Sequence, residues 1–132
     1  MRDMKSNVGA AVSIAPAAAR TGGVTGTGVD LRDYDSATVL IVTGVMTDGG
    51  FFFEVQDSAD NVSYSAVADD YLVGTEPTIV AADDSVVKRV GYVGSKRYIR
   101  VVSTVSGSPS PVTGAVYSAV VLLGHPHAAP VA

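Results

Sequence analysis

The chain has 132 residues, enough for one domain with a core of its own and too few for two. Its 47% hydrophobic content places it with globular chains, and thirteen acids against nine bases (net charge −4) argue against a nucleic-acid partner. With no cysteine it can build neither a disulfide framework nor a thiolate metal site, and no apolar run approaches the roughly 18 residues of a membrane span.

Residues 1–28 are rich in Ala, Gly and Thr. The stretch 8–19 follows Arg2 and Lys5 and superficially resembles a signal peptide, but Gly9, Ser13 and Pro16 weaken its hydrophobic part, so it is expected to be retained. Residues 7–14 can form a short strand, and 17–20 one helical turn confined by Pro16 and Gly22-Gly23. The segment reads as an extended arm outside the core. Ordering it costs about 1 kcal/mol or more per residue in backbone entropy. A partner surface is therefore expected to hold it, with Val8, Ile14 and Arg20 as contact residues.

Residues 29–124 read as the folded domain. An edge-like segment at 29–34 leads through Asp33 and Asp35 into 37–46 (ATVLIVTGVM), an apolar run expected to be a strand buried on both faces. Thr47-Asp48-Gly49-Gly50 is a turn, and 51–56 its hairpin partner, with Phe51, Phe53 and Val55 on one face and Phe52 and Glu54 on the other. After a turn at 57–61, residues 62–67 form a strand carrying Tyr64, and 68–77 a loop anchored inward by Tyr71 and Leu72. Two short strands, 78–81 and 86–93, flank an Asp83-Asp84 turn.

The stretch 91–105, GYVGSKRYIRVVSTV, organises the rest. Alternation sets Ile99, Val101, Ser103 and Val105 on one face and Tyr98, Arg100, Val102 and Thr104 on the other, as in a central strand covered on both sides. Arg97 and Arg100 must then reach solvent or a carboxylate along their stems. Residues 106–111 break the pattern, 115–123 form a last central strand, and 125–132 are a tail holding both histidines. Seven or eight short strands, without a long helical period or a 20–50-residue repeat, specify an all-β, single-domain, jelly-roll-like β-sandwich.

Catalytic chemistry is sparse. His125 and His127 have no Cys, Asp or Glu close in sequence to complete a metal site, no Gly-x-Ser-x-Gly elbow is present, and Gly22–Gly28 lacks the lysine of a phosphate loop. The pairs Asp57/Asp60, Asp69/Asp70 and Asp83/Asp84 are ordinary turn chemistry, with a loop-borne calcium site as the alternative. Asn61-Val62-Ser63 is a glycosylation sequon without a secretory context. No enzyme activity, metal or cofactor is expected. Five of the nine basic residues, Lys88, Arg89, Lys96, Arg97 and Arg100, fall within positions 88–100. They are either solvated strand ends or an electropositive patch for an acidic partner, for which Lys88, Arg89, Lys96 and Arg97 are the candidates.

Residues 53–67 (FEVQDSADNVSYSAV) with KRYIRVV at 96–102 resemble the strand and turn pattern of discoidin-like, galactose-binding-like jelly rolls. That resemblance speaks to fold, and the absence of Trp weakens a sugar-stacking platform. The small cysteine-free chain, its Ala/Gly/Thr arm, GYVGSKRYIRVV, the apolar last strand and the Gly-His-Pro tail resemble small virion proteins of tailed bacteriophages, most of all capsid decoration or cement proteins. The resemblance implies a homo-oligomer, with a trimer favoured, on the outer surface of the capsid, made in the bacterial cytoplasm and bound to the major capsid protein. It implies neither a nucleic-acid nor a membrane partner. A head–tail or tail structural protein and a carbohydrate-binding module remain the alternatives.

Overall fold

Side-chain alternation in six long strands decides the architecture. The structure, a computed structural model, describes residues 2–106 and 110–131. Met1 of the expected arm, Ala132 of the tail and residues 107–109 of the expected break at 106–111 lie outside the described residues. The strands are β1 (Gly9–Ile14), β2 (Val24–Thr25), β3 (Val29–Asp30), β4 (Tyr34–Met46), β5 (Gly50–Ser58), β6 (Ser65–Ala66), β7 (Leu72–Val73), β8 (Thr78–Ile79), β9 (Val87–Tyr92), β10 (Tyr98–Ser106) and β11 (Ala115–Pro126). Among the described residues there are thus eleven strands where seven or eight were expected; β2 and β7, which no expected segment covered, are two-residue pairings too short to carry a periodic signal. No helix among the described residues is long and apolar enough to cross a membrane.

Two antiparallel sheets face each other as a β-sandwich. Sheet A has the order β1-β11-β4-β9-β7; sheet B has β2-β10-β5-β6, with β3 also on β10 and β8 on β5. The core between them takes Val39 and Ile41 from β4, Phe51, Phe53 and Val55 from β5, Ile99 and Val101 from β10, and Tyr117, Ala119 and Val121 from β11. Tyr117 ties the layers together. Its ring packs on Phe51 at 5.0 Å and edge-on to Phe53 at 5.1 Å, while its hydroxyl meets Ser103 Oγ of β10 at 2.8 Å.

Three expectations need correction. First, β4 is covered on one face only, and so is β10, whose outward residues Tyr98, Arg100 and Val102 are half-buried and Thr104 exposed, while β11 is central in sheet A as expected. Second, the tip of the 68–77 loop is anchored by Leu72, whereas Tyr71 points to solvent at 53% exposure. Third, the segment expected as a strand over 62–67 pairs only at Ser65–Ala66, because Asp60 draws the backbone N–H groups of Val62 and Ser63 into a turn.

The N-terminal segment also differs from a free arm. β1 pairs with β11 from Gly9↔Leu123 to Ile14↔Ala119, with a bulge between Val12 and Ile14. Ser13 sits at the bulge and reaches the other sheet: its hydroxyl donates to Thr27 O at 2.9 Å and accepts the Val101 N–H at 3.0 Å. Gly26 fits beneath it because a Cβ there would collide with Ser13 Oγ and Val101 O. The chain therefore closes one end of the sandwich as it passes from sheet A to sheet B. The tail is likewise stitched down, with His127 N–H on Asp33 O and Val131 N–H on Ser6 O.

Candidate interaction surface

The two outer faces of the sandwich differ in chemistry. On sheet A, outward positions fall in register across all five strands: Val12 opposite Val120, Val120 opposite Leu40, Leu40 opposite Arg89, Val42 opposite Val87, and Gly91 opposite Val73. Val12 is 48% exposed, Val42 38%, Val87 60% and Val73 61%. This is an extended apolar face rather than scattered surface valines, the feature that marks interaction sites. Its one charge is Arg89, which among the described residues makes no salt bridge or side-chain hydrogen bond.

Sheet B turns outward a mixed face, on which Phe52 and Val102 are half-buried and the polar side chains pair with one another. Arg100 Nε donates to Gln56 Oε1 at 2.9 Å, Gln56 Nε2 donates to Glu54 Oε1 at 2.6 Å, and the Arg100 guanidinium stacks 4.0 Å over the Tyr64 ring. The Arg100–Gln56 pair follows from the β10–β5 register, and Gln56 and Glu54 share one face of β5 as positions two apart.

The candidate contact residues separate in space. Ile14 is 1% exposed and belongs to the core, which corrects its assignment to a partner surface. Val8 is half-buried beside the start of β1. Arg20 clasps the end of the sandwich: its backbone pairs with Ala115, its Nη2 donates to Ala15 O at 2.6 Å, and its guanidinium lies 5.7 Å from the Tyr117 ring. The basic cluster is divided by strand direction, since four residues of β9 span about 13 Å. Lys88 pairs with Asp83 at one end, Arg89 lies on the apolar face, and Lys96 and Arg97 sit beyond the other end.

Lys96 and Arg97 border a cleft of about 520 Å³ between the start of β4 and the loop after β9. A buried lock shapes that loop. The Tyr92 hydroxyl donates to Asp57 Oδ2 at 3.0 Å and accepts the Lys96 N–H at 3.2 Å, and Lys96 Nζ lies 3.4 Å from Asp57 Oδ1. Burial pushes the Tyr92 hydroxyl up to about 12, so it stays a proton donor. Gly94 crosses directly over that hydroxyl, where a Cβ would clash. Arg97 grips Asp30 with two bonds, Nε to Oδ1 at 3.0 Å and Nη2 to Oδ2 at 2.7 Å, and holds its carboxyl at about 2. The lock was not visible in the sequence because its partners are 35 residues apart.

The histidines are engaged locally: His125 Nδ1 meets Ser36 Oγ at 2.8 Å, and His127 Nε2 meets Asp35 Oδ1 at 2.7 Å. Among the described residues no three His, Asp or Glu side chains converge as metal ligands. Of the acidic pairs, Asp60 and Asp83 serve turns, Asp60 accepting from Val62 and Ser63 N–H and Asp83 from Val80 N–H, whereas Asp57 belongs to the lock and Asp84 accepts the distant Met46 N–H.

No protein-family model matches the chain, and no curated protein matches it by sequence. Among solved structures it is similar to the SPBc2 prophage-derived protein YomS, with a TM-score of 0.53 and 13% identity over 89% of this chain and 94% of that one. The likeness is one of fold.

Proposed function

We propose that this chain is a structural protein of a tailed-bacteriophage particle that decorates the capsid exterior and stabilises it by binding the major capsid protein lattice. The apolar outer face of sheet A carries this reading: five strands present valine and leucine outward around Arg89, which has no side-chain partner among the described residues, a surface built to be covered. The fold shared with a prophage-derived protein supports the phage setting. In this account sheet A lies against the capsid, where the partner offers an apolar patch and a carboxylate for Arg89, and the polar face of sheet B meets solvent.

The mechanism is thermodynamic. A protein that binds the expanded shell and not its precursor stabilises that shell by mass action. Many copies on one lattice, associated as homo-oligomers with a trimer favoured, add avidity to weak single contacts. The work requires no catalytic group and no cofactor, and the protein acts on the virion surface after synthesis in the host cytoplasm. Quantitative mass spectrometry of purified particles tests the reading. Copy numbers matching the capsid lattice support decoration, whereas a handful of copies per particle contradicts it and favours a head–tail or tail position.

A further inference from the structure

We propose that the cleft between β4 and the 93–97 loop is a binding site for a small organic oxyanion, a carboxylate or phosphate ester carried on a ring-sized body. The inference is independent of the apolar face and rests on the donor and acceptor inventory of the walls. The carboxylates around the cleft are each engaged: behind its walls Asp57 takes Tyr92 and Lys96 and Asp30 takes Arg97 and the Arg32 N–H, and on the wall Asp35 takes His127 through one oxygen. The donors are not used up. Arg32 makes no side-chain hydrogen bond or salt bridge among the described residues, Arg97 has Nη1 left after its two bonds to Asp30, and Lys96 has two ammonium hydrogens beyond Asp57. Three cations on the lining against the one carboxylate of Asp35, with two planar guanidinium groups among them, suit an oxyanion.

The site is also built in advance. The Tyr92–Asp57–Lys96 lock holds the loop and the bidentate Asp30 grip holds Arg97, so of the three cations only the exposed Arg32 has to be ordered on binding. Leu31, Tyr34, Ala37 and Val93 supply an apolar wall. A volume of about 520 Å³ fits a ring-sized molecule.

Titration of the full-length protein with benzoate, phenyl phosphate and benzamide, followed by amide chemical shifts, tests this. Saturable shifts at Gly94, Ser95 and Lys96 with one or both anions, at about millimolar affinity, are expected, with none from benzamide. Binding of benzoate alone or of phenyl phosphate alone identifies which oxyanion is preferred and supports the site. Arg32→Gln removes no structural contact and should weaken the bound anion about tenfold. Lys96→Gln should do the same, and its melting temperature reports any loosening of the loop. Equal response to benzamide, no saturable shift with either anion, or full affinity in Arg32→Gln overturns the proposal.

Discussion

The two outer faces arise from strands with the same alternation, and they solve the problem of exposure in opposite ways. Sheet B places Arg100, Gln56, Glu54 and Tyr64 where each finds a partner on its own sheet. Sheet A places Val12, Val120, Leu40, Val42 and Val87 outward and leaves Arg89 unpaired. A face that completes its own hydrogen bonds has little to gain from a partner. One that exposes aliphatic surface around an unpaired charge gains from both burial and pairing. The difference lies in the chemistry of the outward side chains.

Predictions that break this comparison begin with the shared core. Deleting residues 1–23 removes β1 and the buried Ile14 and Ser13 bridge, which should cost more than about 4 kcal/mol, a large share of a typical domain's 5–15 kcal/mol. Chemical denaturation should show the truncated chain largely unfolded; a stable, cooperative domain would restore the reading of this segment as an arm. Tyr117→Ala should cost about 3–5 kcal/mol by leaving a cavity between Phe51 and Phe53 and by removing the partner of Ser103.

Two smaller effects sharpen the contrast. Arg100→Ala should cost about 1 kcal/mol in stability, because it removes the cation over Tyr64 and the bond to Gln56. Arg89→Ala, with no partner to lose, should stay within about 0.5 kcal/mol of the parent. Equal losses in the two variants would show that the faces are not different in kind. The smallest effect is electrostatic. Hydrogen bonding to Asp35 raises the His127 pKa above its ordinary 6.5. Its stabilising contribution is therefore complete below about pH 6.5 and fades as the pH rises through the raised folded value. Thermal melts should show a slight decline over that window, absent in Asp35→Asn.

Much of the sandwich was legible because alternation is a local signal. Phe51, Phe53 and Val55 share the core face as expected, as do Ile99, Val101 and Ser103. The outer face of sheet A was not legible. In ATVLIVTGVM and the 115–123 strand both alternating sets are apolar, and a strand covered twice has the same composition as one covered once with an apolar face left open. The contact residues were misplaced for related reasons. Ile14 sits in a run of small residues that reads as an arm until its pairing with β11 is known. The basic residues of 88–100 are sequence neighbours that β9 carries to opposite ends of the sandwich. Lys96 and Arg97 depend on Asp57 and Asp30, which no local spacing connects to them.

The most direct test is attachment measured face by face. Val12→Lys with Val87→Lys alters two exposed positions of sheet A on well-separated strands, and Glu54→Gln with Thr104→Lys alters sheet B, each with little expected change in melting temperature. Binding of each variant to expanded phage shells lacking this protein should be compared by cosedimentation with that of the parent. The account predicts that the sheet A variant loses binding at least about a hundredfold and that the sheet B variant binds like the parent. Full binding by the sheet A variant, with loss in the sheet B variant, would contradict it.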